Sequence, residues 1–165
     1  MYYHFDNHVH RAKYTSIDQV AIINHNMGLV NRFPFLLPRN TFSDEVVDDY
    51  DYTWTELDAM PEAWCKTFGE QMAAELDEVL KKENYSEKYR IVQIKEKFGG
   101  LRWYDNGVPT SIHKEARDII RKYENLSEKI CIRCGKPATH TTSKWITYVC
   151  EECFNLIEKK GVIVI

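Results

Sequence analysis

The chain has 165 residues and a net charge of −3, and 44% of its residues are hydrophobic and 13% aromatic. This composition supplies a core and excludes a disordered chain, and the length suits one domain or a small domain with an appendage. No apolar run approaches the roughly 20 residues that span a bilayer, and the first residues lack the basic and apolar segments of a signal peptide. We therefore expect a cytoplasmic protein without a membrane partner.

Charge is distributed unevenly along the chain. Residues 1–86 carry 7 basic and 15 acidic side chains, a net charge of −8, whereas residues 87–165 carry a net charge of +5. Such a division is typical of a protein with two partner surfaces, or of two halves that attract each other. Neutralisation of the two signs within a single fold explains it at least as well.

The first predicted element is a short helix over about residues 17–27. Ser16 fits its N-terminal cap, and Gly28 is a natural stop. The apolar run at residues 20–23 could equally be a buried strand, because short apolar runs do not separate the two structures.

Two loop segments follow. Pro34 and Pro38 push their neighbours out of helical geometry, so we expect residues 31–40 to cross the core as an extended apolar segment, or to form an exposed docking strip. Residues 43–51 are rich in aspartate, and we interpret them as a solvated acidic loop. A divalent-metal or phosphate-mimicking role for this loop is the alternative.

Two amphipathic helices are predicted in the middle of the chain. The first covers about residues 61–82, where apolar residues recur every three or four positions. The second begins near Thr110 and buries Ile112, Ala116 and Ile120. Its outer face carries Lys114, Arg117, Arg121 and Lys122.

Between these helices, residues 89–104 are predicted to form a β-hairpin with a tight turn at Gly99–Gly100. Basic and aromatic residues interleave along it, which suits contact with phosphates together with base stacking. The plainer interpretation is a hairpin whose aromatic residues fill the core and whose lysines are solvated. The candidate ligand-binding residues are Lys95, Lys97, Gly99, Gly100, Arg102, Trp103 and Tyr104.

Four cysteines, Cys131, Cys134, Cys150 and Cys153, form two Cys-x-x-Cys pairs near the C-terminus. Each short loop lets two sulfurs face one point, and the intervening stretch is long enough for a hairpin that brings the pairs together. Gly135 fits a knuckle that needs positive φ. We expect a structural Zn²⁺ with four thiolate ligands and no open position for a substrate. Disulfides or a redox pair are the alternatives, which a reducing cytosol disfavours.

The predicted fold class is α+β, with helices packed on a small antiparallel sheet and a C-terminal zinc ribbon. Residues 1–128 form the α+β domain, and residues 129–165 form the ribbon packed on it. Within the ribbon we expect a hairpin over residues 139–149, with Trp145 and Tyr148 packing on the metal site. A helix over residues 151–160 and an edge strand over residues 162–165 complete the chain.

The segment KEKFGGLRWY at residues 95–104, together with the downstream cysteine pairs, resembles a group of uncharacterised phage and bacterial proteins. They share a KEKFGGLR-aromatic-Tyr segment followed by a helix and a zinc-ribbon-like end, and the resemblance covers about residues 60–155. It implies a compact phage or bacterial cytosolic protein, in the host cytoplasm if phage-encoded. It implies no catalytic residues.

Catalytic motifs are scarce. The chain contains no phosphate-binding glycine loop, His-Glu-x-x-His or nucleophile elbow. His8 and His10 have the His-x-His spacing of some metallohydrolases, and Asn24, His25 and Asn26 share the letters of a nuclease motif. The His-x-His pair lacks the preceding strand and the further metal ligands of those enzymes. The Asn-His-Asn triplet lacks the hairpin and helix that surround the nuclease motif.

We therefore expect a non-enzymatic, zinc-stabilised binding protein. Its partner would bear phosphate, as nucleic acid or nucleotide, and would contact the hairpin and the cationic outer face of the second central helix. One alternative is a phage-type inhibitor or adaptor that binds a host protein, for example in antiviral defence, through residues 33–37 or the acidic loop. Another is a small metal-dependent hydrolase or nuclease.

Overall fold

The computed structural model describes residues 16–40, 42–143 and 145–159. The helices are α1 (Ser16–Arg32), α2 (Glu62–Trp64), α3 (Glu70–Lys81), α4 (Thr110–Ser127) and α5 (Glu151–Lys159). The strands are β1 (Ile91–Lys97), β2 (Gly100–Asp105), β3 (His140–Thr141) and β4 (Tyr148–Val149). β1 pairs with β2 and β3 with β4, both antiparallel, so the predicted α+β class is confirmed. The predicted strand at 162–165 and the histidines at 8 and 10 lie outside the described residues.

The first helix, α1, continues past its predicted end. Gly28 lies inside it, because the next turn places Leu29 and Val30 in the core, and that burial outweighs the roughly 1 kcal/mol that glycine costs a helix. Residues 31–40 do lie against the core, but they are not extended throughout. Pro34 begins a 3₁₀ turn (Pro34–Leu36), a position where its missing N–H is harmless.

The predicted helix at 61–82 exists, with one irregularity. Between α2 and α3 the backbone forms a π-helical turn, Cys65–Gly69. Trp64 directly before this turn and Phe68 within it are both buried, so the apolar face of the helix continues through the turn. A π turn shifts the register of a helix by one residue, which apolar spacing alone does not reveal.

The hairpin β1–β2 turns one residue earlier than predicted. Phe98 and Gly99 occupy the turn, with φ of 53° and 81°, and Lys97 pairs with Gly100 in the ladder. Two successive positive φ values are the hallmark of the tight turns that suit strand twist. The Gly99 N–H donates to Oε1 of Glu96 at 2.5 Å. Gly100 therefore belongs to the strand rather than to the turn.

Helix α4 covers one edge of the hairpin. The N–H of Leu101 donates to Oγ of Ser127 at 2.8 Å, and the N–H of Trp103 donates to Oε1 of Glu124 at 3.2 Å. Strand edges present unpaired N–H groups, so these two side chains satisfy donors that would otherwise lie beside a helix without partners. The contact fixes which face of the hairpin points to the core.

A buried polar network ties the hairpin to α4. Asp105, almost fully buried, forms an ion pair with Arg117 through both carboxylate oxygens. The hydroxyl of Tyr89 donates to Asp105 at 2.8 Å and accepts from Nε1 of Trp103 at 2.9 Å. Because a buried carboxylate needs partners for its oxygens, this chain of contacts holds β2 in one register against α4.

The boundary predicted at residue 128 falls just after α4, and the segment beyond it contacts the rest of the fold. The indole Nε1 of Trp64 donates to the carbonyl of Ile130 at 3.2 Å. Ile130 and Ile132 pack against the main core. The division into two domains stays a prediction. We call residues 129–157 the ribbon.

Candidate metal centre

The four cysteine sulfurs form one cluster. Sγ atoms of Cys131, Cys134, Cys150 and Cys153 all lie within 4.8 Å of one another, and those of Cys134 and Cys150 are 3.5 Å apart. A tetrahedral metal with metal–sulfur bonds of about 2.3 Å separates its sulfurs by about 3.8 Å, which this cluster matches. A disulfide needs about 2.05 Å, and all four cysteines are free. The cluster can therefore hold a metal ion.

Two knuckles aim the sulfurs at one point. In the first, the N–H of Gly135 donates to the carbonyl of Cys131 at 2.9 Å, and the N–H of Cys131 donates to Lys136 at 2.7 Å. Gly135 has φ of 77°, as predicted. In the second, Cys150 lies between the end of β4 and the start of α5, and Cys153 lies in the first turn of α5.

Gly135 serves the docking of the knuckle as well as its turn. A Cβ at this position would come within 2.6 Å of Oγ1 of Thr67, in the π turn before α3. Real side-chain contacts are never that short, so the knuckle approaches the helix only because residue 135 is glycine. The first cysteine pair is thus seated directly on the main fold.

The thiols need a cation if they are all to ionise. Burial and the neighbouring thiols raise the pKa of Cys153 to about 12. At Cys131 burial also raises the pKa, but backbone N–H groups of the knuckles overcome it, and the net pKa is lowered. Crowded thiolates repel one another, whereas a divalent cation lets all four lose their protons. The donor set and its electrostatics fit a soft, tetrahedral metal ion.

An apolar shell surrounds the cluster. Val149, Ile132, Phe154 and Ile157 pack against the cysteines, and only Cys134 is exposed among the four. His140 does not join the cluster. Its ring stacks on Phe154 with centroids 4.7 Å apart.

Four sulfurs complete a tetrahedral shell, so the site has a structural rather than a catalytic form.

The predicted packing of Trp145 on the metal site is wrong. Its side chain is 68% exposed, and it is not among the apolar residues that pack against the cysteines. Thr142 and Thr147 hold the turn between β3 and β4 through their hydroxyls, 2.8 Å apart. Tyr148, the other residue expected on the metal site, contacts Gly99 of the hairpin.

The candidate ligand-binding residues divide between two faces of the hairpin. Lys95 lies directly opposite Arg102 in the ladder, and Lys97 lies opposite Gly100, so the three cations share one face. We call this the outer face, and it also carries Gln93 and Tyr104. Nζ of Lys95 lies 5.1 Å from the ring centre of Tyr104.

Three of the predicted ligand residues are not accessible. Trp103 is 3% exposed and donates its indole N–H to Tyr89, so its ring packs in the core and has no free face for a base. Gly99 and Gly100 are also buried. A Cβ at Gly100 would come within 2.8 Å of Nη1 of Arg102 and 3.1 Å of Oε1 of Glu128. These glycines allow close packing inside the protein rather than the approach of a ligand.

The outer face carries unpaired positive charge. Among the described residues, no carboxylate lies within ion-pair distance of Lys95, Lys97 or Arg102. Lys95 donates to Oε1 of Gln93, and Arg102 to the carbonyl of Leu101. Like charges that face each other across a ladder are destabilising, so this arrangement favours an anion from outside the fold.

The cations expected on the outer face of α4 form ion pairs within the protein. Asp118 pairs with Lys114 at 2.5 Å and with Arg121 at 3.7 Å. Arg117 serves the buried Asp105, and Lys122 pairs with Glu75 at 2.6 Å. These cations therefore have partners within the fold, unlike those of the hairpin, and the contact of this helix face with a partner stays a prediction.

Two exposed aromatic tips lie outside the list of predicted ligand-binding residues, although Phe98 belongs to the basic and aromatic pattern of the hairpin. Phe98 at the turn of β1–β2 is 65% exposed, and Trp145 at the turn of β3–β4 is 68% exposed. No sequence signal separates them from the buried aromatic residues of the same segments. The separation depends on which face packs against α4 and on the short ribbon strands.

Three other segments are possible sites by sequence, and they differ in how far they are exposed. The Asn24–Asn26 triplet lies within α1, and Asn26 is buried with its Nδ2 donating to the carbonyl of Tyr52 at 2.8 Å. Residues 33 and 35–36 are buried in the core, so the alternative that this segment forms an exposed docking strip is wrong. The loop at 43–51 is largely exposed, as expected, and Asp44 pairs with Arg90. Within the described part of the chain, the cysteines are the one cluster of potential metal ligands.

Comparison with protein-family models, curated proteins and solved structures found no match to this chain. None of the helices in the described ranges is long and apolar enough to cross a membrane.

Proposed function

We propose that this chain is a non-enzymatic binding protein that holds one structural Zn²⁺ and engages a phosphate-bearing partner through the outer face of its hairpin. The observation that carries the proposal is the set of three cations on that face, Lys95, Lys97 and Arg102, which lack carboxylate partners within the described fold. Phosphate groups supply the missing negative charge, and arginine and lysine are their usual ligands.

Zinc suits the cluster better than other metals. Four thiolates in tetrahedral arrangement select zinc or iron–sulfur chemistry, and a single ion fits sulfurs that all lie within 4.8 Å. The metal would act on binding only indirectly, by keeping the ribbon folded against the hairpin turn through the contact of Gly99 with Tyr148. A phage or bacterial cytosolic origin is consistent with this role, and it rests on the KEKFGGLRWY segment.

The alternative function is an inhibitor or adaptor that binds a host protein. Of the two surfaces expected for it, only the acidic loop at residues 43–51 is exposed. Phe42 is fully exposed, and Val46 and Val47 are partly exposed beside the aspartates of the loop. An exposed apolar group with acidic neighbours suits a basic protein surface. Loss of a host-protein interaction in Phe42→Ala, with nucleic-acid binding unchanged, would favour this alternative.

The proposal is tested by the affinity of the zinc-loaded protein for three labelled probes, a single-stranded 20-mer, the matching duplex and a fluorescent nucleotide. The variant K95A/K97A/R102A is expected to bind at least one of them 10-fold to 100-fold more weakly than the native chain. The control K66A/K114A/R121A removes the same charge from exposed, ion-paired positions and is expected to bind normally. Absence of binding to all probes, or equal losses in both variants, would contradict the proposal.

A further inference from the structure

Two hairpin turns meet at one point on the surface. A Cβ at Gly99 would lie 2.9 Å from the ring of Tyr148 and 3.1 Å from the carbonyl oxygen of Ile146. The chain neighbours of these residues, Phe98 and Trp145, therefore sit on adjoining turns. The junction of the two turns is formed by the main fold on one side and the ribbon on the other.

This junction exposes three large apolar side chains. Phe98 is 65%, Trp145 68% and Ile146 44% exposed. Large aromatic rings stabilise a fold when they are buried, and the tips of short turns are ordinarily polar, so exposed rings on two adjoining turns indicate contact with a partner.

The cations of the outer face lead into this junction. Along β1 the cations Lys95 and Lys97 are about 7 Å apart and point to the same side, and the turn with Phe98 follows at once. Nζ of Lys97 lies 5.3 Å from the ring centre of Phe98. The cations of the outer face therefore lead along β1 to the exposed ring of Phe98, so groups that bind phosphate lie beside a ring on which a base can stack.

We propose that the outer face and the two aromatic tips form a binding site for single-stranded nucleic acid. Lys95, Lys97 and Arg102 contact its phosphates, and unpaired bases stack on Phe98 and Trp145. This inference rests on the proposed function and names its ligand class. Stacking on aromatic rings tolerates any base, so binding is expected to depend weakly on sequence.

A single strand fits these observations better than the other phosphate ligands. In a duplex the base faces are stacked on one another and closed to side chains, so exposed rings would gain nothing there. A mononucleotide offers one base, whereas the junction offers two rings and a strip of cations. An acidic protein would supply negative charge, but it would not require flat aromatic faces.

The test compares binding of the zinc-loaded full chain to a labelled oligothymidylate 20-mer and to a 20-base-pair duplex, in the same buffer. The native chain is expected to bind the single strand at least 10-fold more tightly. F98A/W145A is expected to weaken binding of the single strand 10-fold to 100-fold and to leave duplex binding unchanged. F98L/W145L keeps apolar volume without flat rings and is expected to behave in the same way, which guards against a folding defect.

Phe42→Ala is the matched control, since Phe42 is an exposed aromatic residue of the acidic loop. It is expected to bind both oligonucleotides normally. Equal affinity for single strand and duplex, or no effect of F98A/W145A and F98L/W145L, would overturn the stacking site while leaving phosphate binding intact. Equal loss of both oligonucleotides in F98L/W145L would also overturn it, because stacking does not act on a duplex. Failure to bind either oligonucleotide would also overturn the single-strand site, and failure to bind the fluorescent nucleotide as well would remove the proposed function.

Discussion

Gly99 of the hairpin turn lies against the ring of Tyr148 in the ribbon, so closely that a Cβ at residue 99 would come within 2.9 Å of that ring. The contact joins a turn of the main fold to the strand that leads into Cys150. Gly99 also has φ of 81°, a conformation that other residues adopt only with strain. Two independent reasons therefore require glycine here.

Gly99→Ala is expected to lower the free energy of unfolding by about 2–4 kcal/mol, through backbone strain and displacement of Tyr148. Gly107→Ala is the control, since Gly107 has φ of 87° but nothing within 4 Å of a Cβ. The free energy of unfolding of Gly107→Ala should fall by only about 1 kcal/mol, because the variant has the backbone strain but no steric clash. Urea unfolding of both variants measures the difference, and equal losses would show that Tyr148 does not press on residue 99.

Tyr89→Phe is expected to destabilise the fold by about 1–3 kcal/mol, because the hydroxyl of Tyr89 links Trp103 to Asp105. Its removal leaves a buried indole N–H without an acceptor. Tyr104→Phe removes an exposed hydroxyl from the same hairpin and should change stability little. Chemical denaturation with tryptophan fluorescence compares the two, and a near-zero effect of Tyr89→Phe would mean that the network contributes no net stability.

Cys150→Ser is expected to abolish metal binding and to unfold the ribbon, because the binding free energy of a structural metal is folding free energy. The main fold should melt at a lower temperature but keep its helices, since it loses the support of the ribbon at Trp64 and Gly99. Cys65→Ser should keep its metal, because Cys65 is outside the cluster. Metal analysis and circular dichroism check both variants, and a Cys150→Ser protein with a full complement of zinc would refute the assignment.

Glu56 makes stability depend on pH. Burial raises its pKa from 4.5 to about 7, although the backbone N–H of Arg39 opposes the rise. Between these values the folded protein holds a proton that the unfolded chain has released. Stability should therefore fall as pH rises through this window, and Glu56→Gln should be more stable than the native chain above pH 7 by about 1–3 kcal/mol.

Thermal melting of the Glu56→Gln protein from pH 5 to pH 8 checks this prediction. The exposed Glu78→Gln is the control and should keep the pH dependence of the native chain. If the melting temperature of Glu56→Gln depends on pH as steeply as that of the native chain, the carboxyl of Glu56 is ionised in the folded protein from pH 5 to pH 8, and the prediction is wrong.

The parts of the site that follow from local chemistry could be predicted from the sequence. Four cysteines at ligand spacing need only a short hairpin to meet, and Gly135 marks the positive φ of the first knuckle. The pairing of Lys114 with Asp118 also follows from local spacing, because residues four apart lie on the same face of a helix.

Other features depend on contacts between distant segments. Gly99 and Gly100 are equally permissive, and the pairing of Gly100 with Lys97 places the second glycine in the strand. Trp103 and Tyr104 are neighbours on opposite faces, and α4 decides which one is buried. Such choices depend on tertiary packing, which a single sequence does not display.

The salt dependence of oligonucleotide binding tests the central claim most directly. If Lys95, Lys97 and Arg102 neutralise phosphates of a single strand, the logarithm of the binding constant should fall linearly with the logarithm of salt concentration, with a slope of about −2 for three contacts. K95A/K97A/R102A should show a slope near zero. Salt-independent binding by the native chain, or the same slope in the triple variant, would contradict the account.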